Sequence, residues 1–548
     1  MTSGAPQISV VLATHNRCGV LRRCLEGLRD QTLDPTKVEV IVADDGSTDG
    51  TAEMVDSFEA PFPIRVLRLP KAGKSMALNA ALEAATGEVC LFLDDDIVAS
   101  PELLEEHLAA HQGDSPTLGI GVLVQEPPVE GDPYARAFAE IWNERYQERL
   151  GREASWADCY GANFSARRAA LLDSGSFATD LPAVEDLELA FRLCEQGCVP
   201  RFLPRAGAVH DDQKPGRRIL ADEERFGSWC ADFVGDHPEA AHRLLGWFNT
   251  LTIQEIMLRR VLLGLRVPMP FLAQLGRLIP EGKRRRAWFG FVSRHAFWRG
   301  VRRNMSRARW HQSIYGVPIL MYHAFSVFDE SDRFVMTRRS FAWQMRLLAL
   351  LRYRIVRFED LVVALANGRD LPRRAVAITI DDGYQDNFEI AVGILRKRGY
   401  PATVFLVSDR LGGSNDWDDE GAVAGRALLS KAEIDRMRAG GAIRFGAHTR
   451  THLSLPETTE DQVDIEVRGS RKDLERTLET DVLTFAYPYG EYDDRAVETV
   501  AAAGFHGACT AYARRARVGD DPLLIPRIEI RGEDSLLRFL RKIWFGGG

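Results

Sequence analysis

The sequence predicts an α/β protein with two domains. Three observations support this prediction. The 548 residues exceed what one hydrophobic core usually organises, and 45% hydrophobic with 27% charged residues is typical of globular proteins. Two separate regions also alternate apolar runs with amphipathic ones. The formal net charge of −8 does not suggest a nucleic-acid partner, and we expect none.

The first alternating region covers about the first hundred residues. Strands are predicted at 8–13, 38–43, 64–69 and 89–93, and helices at 19–30, 51–58 and 75–85. Continuous apolar strands separated by helices indicate a parallel sheet covered on both faces, in which ligands bind beyond the carboxyl ends of the strands. Asp44 and Asp45 follow the second strand there, and Asp94, Asp95 and Asp96 follow the fourth.

A second alternating region begins near residue 317. Strands are predicted at 319–322, 375–380, 402–406, 443–446, 482–487 and 523–530, and helices at 341–351, 388–397 and 461–478. Repeated β-α units of this kind predict a barrel-like or wound α/β domain.

Residues 251–310, between these regions, have a different composition. Arginines alternate with aromatic residues there: Arg259, Arg260, Arg284, Arg285, Arg286, Arg302 and Arg303 among Trp288, Phe289, Phe291, Phe297 and Trp298. One hypothesis is a helical connector whose aromatic residues pack on the domains. The other is an interfacial helix that meets anionic lipid. We favour the connector because basic amphipathic stretches are common in solvated linkers.

The eight cysteines are scattered without a Cys-x-x-Cys pair, which predicts free thiols in a reducing compartment. Residues 1–7 lack a basic segment followed by an apolar stretch, so no signal peptide is expected. The most apolar stretch, 261–278, is interrupted by two arginines and two prolines. We therefore expect a cytoplasmic location, with or without contact with a membrane surface.

The aspartates at 94–96 suggest a first metal site. A transferase that takes a sugar from a nucleoside diphosphate must neutralise the departing diphosphate, and a divalent cation held by carboxylates does this. Three adjacent aspartates by themselves are most often a solvated turn or a helix cap.

Six segments occur in a specific order around these aspartates: VVLATHNR (10–17), ADDGSTD (43–49), KAGKSMALN (71–79), FLDDD (92–96), GANFS (161–165) and EDLELAFR (185–192). This ordered set resembles the family 2 glycosyltransferases over residues 7–235. The resemblance implies a GT-A (Rossmann-like) nucleotide-sugar domain, which we assign to residues 1–240.

The resemblance also implies roles for individual residues. Asp45 would contact the nucleotide base or ribose beside Thr14, and Lys74 belongs to the same nucleotide-sugar site. Asp94 and Asp96 form the Asp-x-Asp element, in which Asp94 also meets the nucleotide sugar. Both would bind Mn²⁺ or Mg²⁺, with Asp96 the more direct ligand.

Two further residues complete the first predicted site. Asp186 would be the general base that takes the proton of the acceptor hydroxyl. The alternative for Glu185 and Asp186 is an acidic helix N-terminus stabilised by its dipole. His210 would complete the metal shell, or it is a surface histidine.

A second set of residues fits amide hydrolysis, which needs an activated water, a base and an oxyanion stabiliser. Two histidines and a carboxylate can hold a metal that keeps an open position. The sequence offers IDDG at 380–383 after an apolar strand, HTRTH at 448–452 and FAYPYG at 485–490. The two histidines share one face if their segment is helical.

These motifs together resemble the polysaccharide deacetylases of carbohydrate esterase family 4, over residues 315–545. The Tyr-Pro-Tyr-Gly motif and LMYH at 320–323 are most similar to the poly-N-acetylglucosamine deacetylase branch. The resemblance implies a distorted β/α barrel of the polysaccharide deacetylase type at 313–548, with a basic helical connector at 241–312.

In this resemblance Asp381 is the general base, and Asp382, His448 and His452 bind Zn²⁺ or a similar divalent transition metal. Tyr489 would supply a backbone N–H to the oxyanion.

Two positions depart from the family pattern. Many members have an arginine where this chain has Ala486, and many end in a Leu-x-His that supplies the general acid, whereas no histidine follows His506. We expect His323 on the first strand to be the general acid; the alternative is a packed histidine at a strand end. Arg527 is expected to orient Asp381.

The fusion predicts a bifunctional enzyme that acts twice on one product. It would transfer an N-acetylhexosamine, GlcNAc from UDP-GlcNAc, to a small-molecule, glycan or lipid-linked acceptor and remove the N-acetyl group. Tethering raises the effective concentration of the intermediate at the second site. Two alternatives are an active transferase whose second domain only binds glycan, and a scaffolding protein with inactive domains.

Overall fold

The computed structural model describes residues 5–127, 132–159, 161–181, 184–211, 214–246, 253–265, 267–328, 332–418 and 423–546. Within 253–260 the side chains of Leu258 and Arg259 alone are described. The chain divides into two units, Met1–Trp229 with Arg259–Arg303, and Cys230–Leu258 with Asn304–Gly548. None of the described helices has the combination of length and apolarity that crossing a bilayer requires.

The first unit contains a mixed eight-stranded sheet. Its strands are β1 (Ile8–Thr14), β2 (Val38–Asp45), β3 (Ile64–Leu69), β4 (Val89–Asp94), β5 (Ile97–Ala99), β6 (Thr117–Gln125), β7 (Asn163–Arg167) and β8 (Val199–His210). The strand order is β3-β2-β1-β4-β7-β6-β8-β5. Strands β1 to β4 are parallel, while β7 runs antiparallel to β4 and β6, and β5 runs antiparallel to β8.

The described helices up to residue 304 are α1 (Cys18–Arg29), α2 (Thr51–Asp56), α3 (Lys74–Ala84), α4 (Leu103–Ala109), α5 (Pro133–Leu150), α6 (Arg168–Asp173), α7 (Glu185–Glu195), α8 (Gly216–Asp236), α9 (Ala241–Leu245), α10 (Ile253–Leu265), α11 (Met269–Arg277) and α12 (Lys283–Asn304). Val10 on β1 packs with Leu21 of α1 in one core, and the adjacent Val11 packs with Leu78 of α3 in another. Helices thus cover both faces of the sheet, as the apolar strands predicted.

Strands β5 to β8 were not predicted from the sequence. The long strand β8 contains Pro200 and Pro204, which weaken a strand pattern because proline cannot donate to the ladder. Its pairing with β6 also shifts register between Gly121 and Val122. The parallel prediction therefore holds for the first four strands, and the rest of the sheet is mixed.

The second unit contains a second sheet. Its strands are β9 (Ile319–Tyr322), β10 (Ala324–Ser326), β11 (Val335–Thr337), β12 (Arg354–Val356), β13 (Ala375–Ile380), β14 (Ala402–Leu406), β15 (Ile443–Ala447), β16 (Thr484–Ala486), β17 (Gly507–Cys509) and β18 (Ile528–Glu529). The parallel order is β17-β16-β15-β14-β13-β9-β18, with β12 beside β13, and β10 pairs separately with β11. A single bridge from Cys509 to Ile525 joins β17 to the segment leading into β18. This is the distorted β/α barrel that the resemblance implied.

After residue 304 its described helices are α13 (Arg307–Trp310), α14 (Arg338–Leu350), α15 (Phe358–Ala366), α16 (Val392–Arg396), α17 (Lys431–Arg438), α18 (Glu460–Leu478), α19 (Asp494–Ala502) and α20 (Leu536–Phe545). Strands β9, β13 and β14 match their predicted bounds, because each is a short, fully buried apolar run. The strand predicted at 523–530 is shorter, since 522–524 forms a turn, Ile525 makes a single bridge and Pro526 follows it.

The aromatic residues of the predicted connector are mostly internal. Phe289, Phe297 and Trp298 on α12 are buried. These three side chains therefore pack within the protein. All eight cysteines are free thiols, as predicted, and the reducing compartment stays a prediction.

Candidate active sites

The carboxyl ends of the second sheet surround a cavity of about 270 Å³. Its lining includes His323, Asp381, Asp382, Trp417, Asp418, His448, His452, Tyr489 and Arg527. Strands β9, β13 and β15, the turn after β16 and the segment before β18 deliver most of these side chains. Every residue predicted for the second site therefore lies around one cavity.

Asp382, His448 and His452 form a cluster suited to a metal ion. The Oδ1 atom of Asp382 lies 3.4 Å from Nε2 of His448 and 3.3 Å from Nε2 of His452. All three side chains are buried, and no other three potential ligands among the described residues come as close together. Nδ1 of His448 donates to the carbonyl oxygen of Ala486 at 2.7 Å, which leaves Nε2 free to bind a metal.

The two histidines lie on a loop and not on a helix, so the helical arrangement considered for them is wrong. Thr449 and His452 have φ values of 61° and 66°, which no right-handed helix permits. Glu466 of α18 fixes this loop by accepting hydrogen bonds from the backbone N–H groups of Arg450 and Thr451 at 2.7 and 2.9 Å. The loop backbone, rather than helical spacing, brings the imidazoles together.

The turn after β13 is equally constrained. Asp382 has a φ of 70° and Gly383 a φ of 72°. A Cβ atom on Gly383 would lie 2.6 Å from Cδ2 of Leu406. The glycine of the Asp-Asp-Gly motif is therefore required both by the backbone angle and by the space available.

Asp381, which lines the same cavity as the metal cluster, is paired with Arg527. Nη1 and Nη2 of Arg527 donate to Oδ1 and Oδ2 of Asp381 at 2.6 and 2.7 Å. Burial raises the pKa of Asp381, but the charge of Arg527, helped by His448, outweighs burial and brings the pKa below its usual value. Asp381 is therefore a carboxylate at neutral pH.

His323 and Tyr489 complete the cavity wall. Nδ1 of His323 is buried without a hydrogen-bond partner among the described residues, and the ring packs 4.7 Å from that of Phe334. Tyr489 has a φ of 58°, and its ring centroid lies 4.7 Å from that of His452. The cavity places a titratable imidazole and a strained backbone near the predicted metal ligands.

The first sheet ends in a second cluster of carboxylates. Oδ1 of Asp96 is buried and accepts no hydrogen bond from the described residues. It lies 3.5 Å from Nε2 of His210, and Oδ2 of the same carboxylate pairs with Arg17 at 2.8 Å. An unpaired carboxylate oxygen facing an imidazole nitrogen suits a divalent cation.

Asp94 takes a different partner from Asp96. Nζ of Lys74, at the start of α3, lies 2.8 Å from Oδ1 of Asp94 and 3.1 Å from Oε1 of Glu185. Burial lowers the pKa of Lys74, but these two carboxylates raise it well above its usual value overall. The structure thus brings together Asp96 and His210, while Asp94 is bound to the predicted nucleotide-sugar residue Lys74.

Asp45 and Thr14 lie at the carboxyl ends of neighbouring strands of the first sheet, but they form hydrogen bonds with different groups. The Asp45 carboxylate accepts the backbone N–H groups of Ala72 and Gly73 at 2.6 and 3.1 Å. Thr14 donates to Oδ2 of Asp95 at 2.7 Å. Asp45 therefore holds the segment that leads into α3 and Lys74.

Asp186 lies in the first turn of α7. Its carboxylate accepts the N–H of Leu187 at 2.8 Å and the N–H of Gly161, and a Cβ atom on Gly161 would lie 2.5 Å from Oδ2. Burial, together with the charge of Glu185, raises the pKa of Asp186 to about 6. Asp186 remains mostly ionised at neutral pH and is more basic than an exposed aspartate.

Two family models match the chain, one in each half. The family model described as "Glycosyl transferase family 2" matches residues 9–174, and that described as "Polysaccharide deacetylase" matches residues 368–508. The chain joins a family 2 glycosyltransferase domain to a polysaccharide deacetylase domain. The first match includes Asp45, Asp94 and Asp96, and the second includes Asp381, Asp382 and both clustered histidines.

Individual relatives cover one domain each. Validoxylamine A glucosyltransferase of Streptomyces hygroscopicus subsp. limoneus is 33% identical over 158 residues, 28% of this chain and 35% of that protein. The chain spans little more than a third of the length of the curated glycosyltransferases that it matches first.

Two solved structures resemble the two domains. The mannosyltransferase PcManGT of Pyrobaculum calidifontis, in complex with GDP-Man and Mn²⁺, is 20% identical with a TM-score of 0.40, over 55% of this chain and 87% of that one. The deacetylase PplD of Streptococcus pyogenes, in complex with acetate, is 23% identical with a TM-score of 0.37, over 42% of this chain and 98% of that one.

Several contributors to the deacetylase and glycosyltransferase sites were not recognised in the sequence. Trp417 stacks on the ring of His452 at 4.6 Å, and Glu466 holds the histidine loop. In the glycosyltransferase domain Arg17 bridges Asp95 and Asp96. Arg17 is part of the VVLATHNR segment, so its position could have suggested the role, whereas an isolated tryptophan or glutamate carries no such signal.

Proposed function

We propose that the chain is a bifunctional enzyme. Its glycosyltransferase domain transfers an N-acetylhexosamine, GlcNAc from UDP-GlcNAc, to an acceptor, and its deacetylase domain removes the N-acetyl group by metal-dependent hydrolysis. The observation that carries this proposal is the buried cluster of Asp382, His448 and His452 beside Asp381, in a chain that also carries a nucleotide-sugar domain. The donor follows from the deacetylase, because that domain needs an acetamido sugar.

In the transfer reaction Asp186 takes the proton of the acceptor hydroxyl as that oxygen forms its bond to the anomeric carbon. The bond from this carbon to the diphosphate breaks, and the diphosphate leaves with the electron pair. Asp96 and His210, with Asp94, would hold Mn²⁺ or Mg²⁺, which supplies positive charge to the leaving diphosphate. Lys74 adds positive charge at the same edge, and Asp45 orients the segment that carries it.

In the deacetylation reaction Asp381 takes a proton from the attacking water, and Arg527 keeps that carboxylate ionised and oriented. The backbone N–H of Tyr489 stabilises the oxyanion. His323 gives a proton to the nitrogen as the C–N bond breaks, which releases acetate and a free amine. Asp382, His448 and His452 would hold Zn²⁺ or a similar ion, which lowers the pKa of the attacking water.

The acceptor is a small molecule, a glycan or a lipid-linked sugar. Both reactions on one chain place the acetylated intermediate close to the second site, because tethering raises its effective concentration. Removal of the acetyl group turns a neutral sugar into one that carries a protonated amine at neutral pH.

The test uses the full chain with UDP-GlcNAc and a panel of acceptors, followed by mass spectrometry of the products. The wild type is expected to add a sugar and then lose acetyl. Asp186→Asn should slow sugar addition about 10²–10⁴-fold but still deacetylate the acetylated product supplied to it. Asp382→Ala should add the sugar and leave its acetyl group in place. Glu195→Gln, at the exposed end of α7, is the matched control and should behave like the wild type.

Other outcomes would contradict specific parts of the proposal. Sugar addition from a different nucleotide sugar alone would overturn the donor assignment. Undiminished acetate release by Asp382→Ala would overturn the metal-dependent hydrolysis. Retained glycan binding without acetate release by the wild type would make the second domain a glycan-binding module.

A further inference from the structure

Helices α10 and α11 carry exposed apolar side chains in the first unit. Val261 and Leu265 on α10 are 53% and 71% exposed, and Phe271 on α11 and Leu278 directly after it are 54% and 81% exposed. We call these four residues the apolar face. Positions 261 and 265 are four apart and 271 and 278 are seven apart, so each pair lies on one side of its helix.

The opposite side of each helix is packed. Leu262 of α10 and Met269 and Leu272 of α11 belong to a hydrophobic cluster with Phe289 and Val292 of α12. The two helices are therefore fixed by their inner sides, and the apolar face is not needed for that packing. Four large apolar side chains of this exposure within eighteen residues are unusual for a surface that meets only water.

Exposed basic residues lie close to the end of the apolar face in the chain. Arg277, Lys283 and Arg284 are exposed, and we call them the basic rim. Within the described part of the chain Lys283 and Arg284 have no ion-pair partner, and Arg277 reaches Asp132 only at 3.8 Å. Glu281, the one acidic residue described between 261 and 286, is paired with Arg285 at 3.0 Å. The rim thus has a surplus of positive charge.

Exposed apolar residues on two helices, followed closely in the chain by exposed basic residues, match a membrane surface that contains anionic lipid. The described helices contain 13 and 9 residues, whereas a helix that spans a bilayer needs about 20. We propose that the apolar face and the basic rim dock the glycosyltransferase domain on an anionic bilayer, with α10 and α11 lying in the interface.

The test is flotation of the full chain with phosphatidylcholine vesicles, with and without about 30% phosphatidylglycerol, in the absence of any sugar nucleotide. We expect flotation with the anionic vesicles and much less with the neutral ones. The variant L265S/F271S/L278S should lower the affinity at least about ten-fold, because it removes inserted apolar area. The variant K283E/R284E should lower the affinity for anionic vesicles at least about ten-fold, because it reverses two charges of the basic rim. Added salt should weaken the binding of the wild type to these vesicles.

Matched controls carry the same changes elsewhere on the surface. Leu350→Ser alters an apolar side chain that is 78% exposed on α14, and K472E/R476E reverses two charges on α18. Both controls should float like the wild type, and every variant should keep the wild-type melting temperature. Because flotation needs no catalysis, the result is independent of the proposed reactions.

Failure of the wild type to float with anionic vesicles would overturn the proposal. So would flotation that neither variant weakens. Concentration-dependent self-association without lipid that L265S/F271S/L278S abolishes, measured by analytical ultracentrifugation, would assign the apolar face to a protein interface instead.

Discussion

Arg527 donates one hydrogen bond to each carboxylate oxygen of Asp381, at 2.6 and 2.7 Å, and both side chains are buried. The neighbouring Asp382 points its carboxylate at two imidazoles instead. Two adjacent aspartates therefore have separate partners, one a guanidinium and the other a pair of potential metal ligands. This division supports a base role for the first and a ligand role for the second.

Replacement of Arg527 by leucine should damage both stability and deacetylation. It leaves the buried Asp381 carboxylate without its cation, and breaking a buried ion pair costs about 3–5 kcal/mol. We expect a loss of that size in the free energy of unfolding, measured in urea, and loss of acetate release. Arg527→Lys keeps the charge without the two parallel hydrogen bonds and should lie between leucine and the wild type.

The control for this prediction is Arg476→Leu, because Arg476 is 71% exposed on α18. Its free energy of unfolding should change by no more than about 0.5 kcal/mol. Full deacetylation by Arg527→Leu would show that the guanidinium has no part in orienting Asp381.

Glu466→Gln should weaken metal binding at the deacetylase site without touching a ligand. Glu466 orients the loop between His448 and His452 through two backbone N–H groups and the hydroxyl of Thr451. Groups that position metal ligands typically contribute about 10–100-fold to metal affinity. The expected result is a loss of this size in a Zn²⁺ titration followed by calorimetry.

Glu498→Gln on the exposed side of α19 should leave the Zn²⁺ affinity unchanged. If Glu466→Gln also titrates like the wild type, the loop is fixed by other contacts and the positioning role is wrong.

Asp186→Asn should lower the rate of sugar transfer about 10²–10⁴-fold, the range for removal of a general base. The asparagine keeps the size of the side chain, so binding of the sugar nucleotide should persist. Initial rates of transfer and the affinity for UDP-GlcNAc, measured separately, test both parts. A variant with a normal transfer rate would return Asp186 to the alternative role of a helix N-terminal acid.

A buried histidine pair in the glycosyltransferase domain predicts sensitivity to acid. Asn163 donates to the carbonyls of Val122 and Ala206, so its Oδ1 accepts Nε2–H of His107. Nδ1 of His107 then accepts the hydroxyl of Ser165, and His111 donates to the same hydroxyl oxygen. The network holds both imidazoles neutral. Burial lowers the pKa of His107 to about 3 and that of His111 to about 4.

Both folded-state pKa values lie below the unfolded value of about 6.5, so the unfolded chain binds more protons in acid. The contribution of the two neutral histidines to the free energy of unfolding is therefore complete above about pH 6.5. It decreases as the pH falls from there towards about 4, by up to about 1.4 kcal/mol per pH unit for each histidine. Pulse proteolysis in urea can follow the unfolding of the glycosyltransferase domain through its cleavage. It should show a lower free energy of unfolding at about pH 5 than at about pH 7.

The double variant H107Q/H111Q should be less stable at neutral pH but lose less stability in acid. Exposed His506→Gln should keep the wild-type pH dependence. An identical pH dependence in the double variant would mean that other groups cause the acid sensitivity.

The parts of the fold that the sequence predicted well are those with a simple hydrophobic pattern. Strands 319–322, 375–380 and 402–406 have the predicted bounds because apolar runs in a buried parallel sheet determine their own length. Strand β8 was not predicted, since its prolines and its irregular pairing with β6 have no such pattern.

The candidate sites were predicted only in part for a related reason. The ligand types and their positions at strand ends indicated a metal cluster of Asp382, His448 and His452. The left-handed backbone at Thr449 and the support from Glu466 depend on tertiary contacts that no local pattern encodes. In the same way, nothing in the order of residues indicates that the Asp94 carboxylate forms an ion pair with Lys74 and does not share a partner with Asp96.

The hydrogen bond from His448 to the carbonyl of Ala486 has a consequence for divergence among such domains. The acceptor is a main-chain atom, so every amino acid at position 486 that fits its buried site preserves the imidazole tautomer. Selection on the metal ligand is thereby uncoupled from selection on the neighbouring side chain.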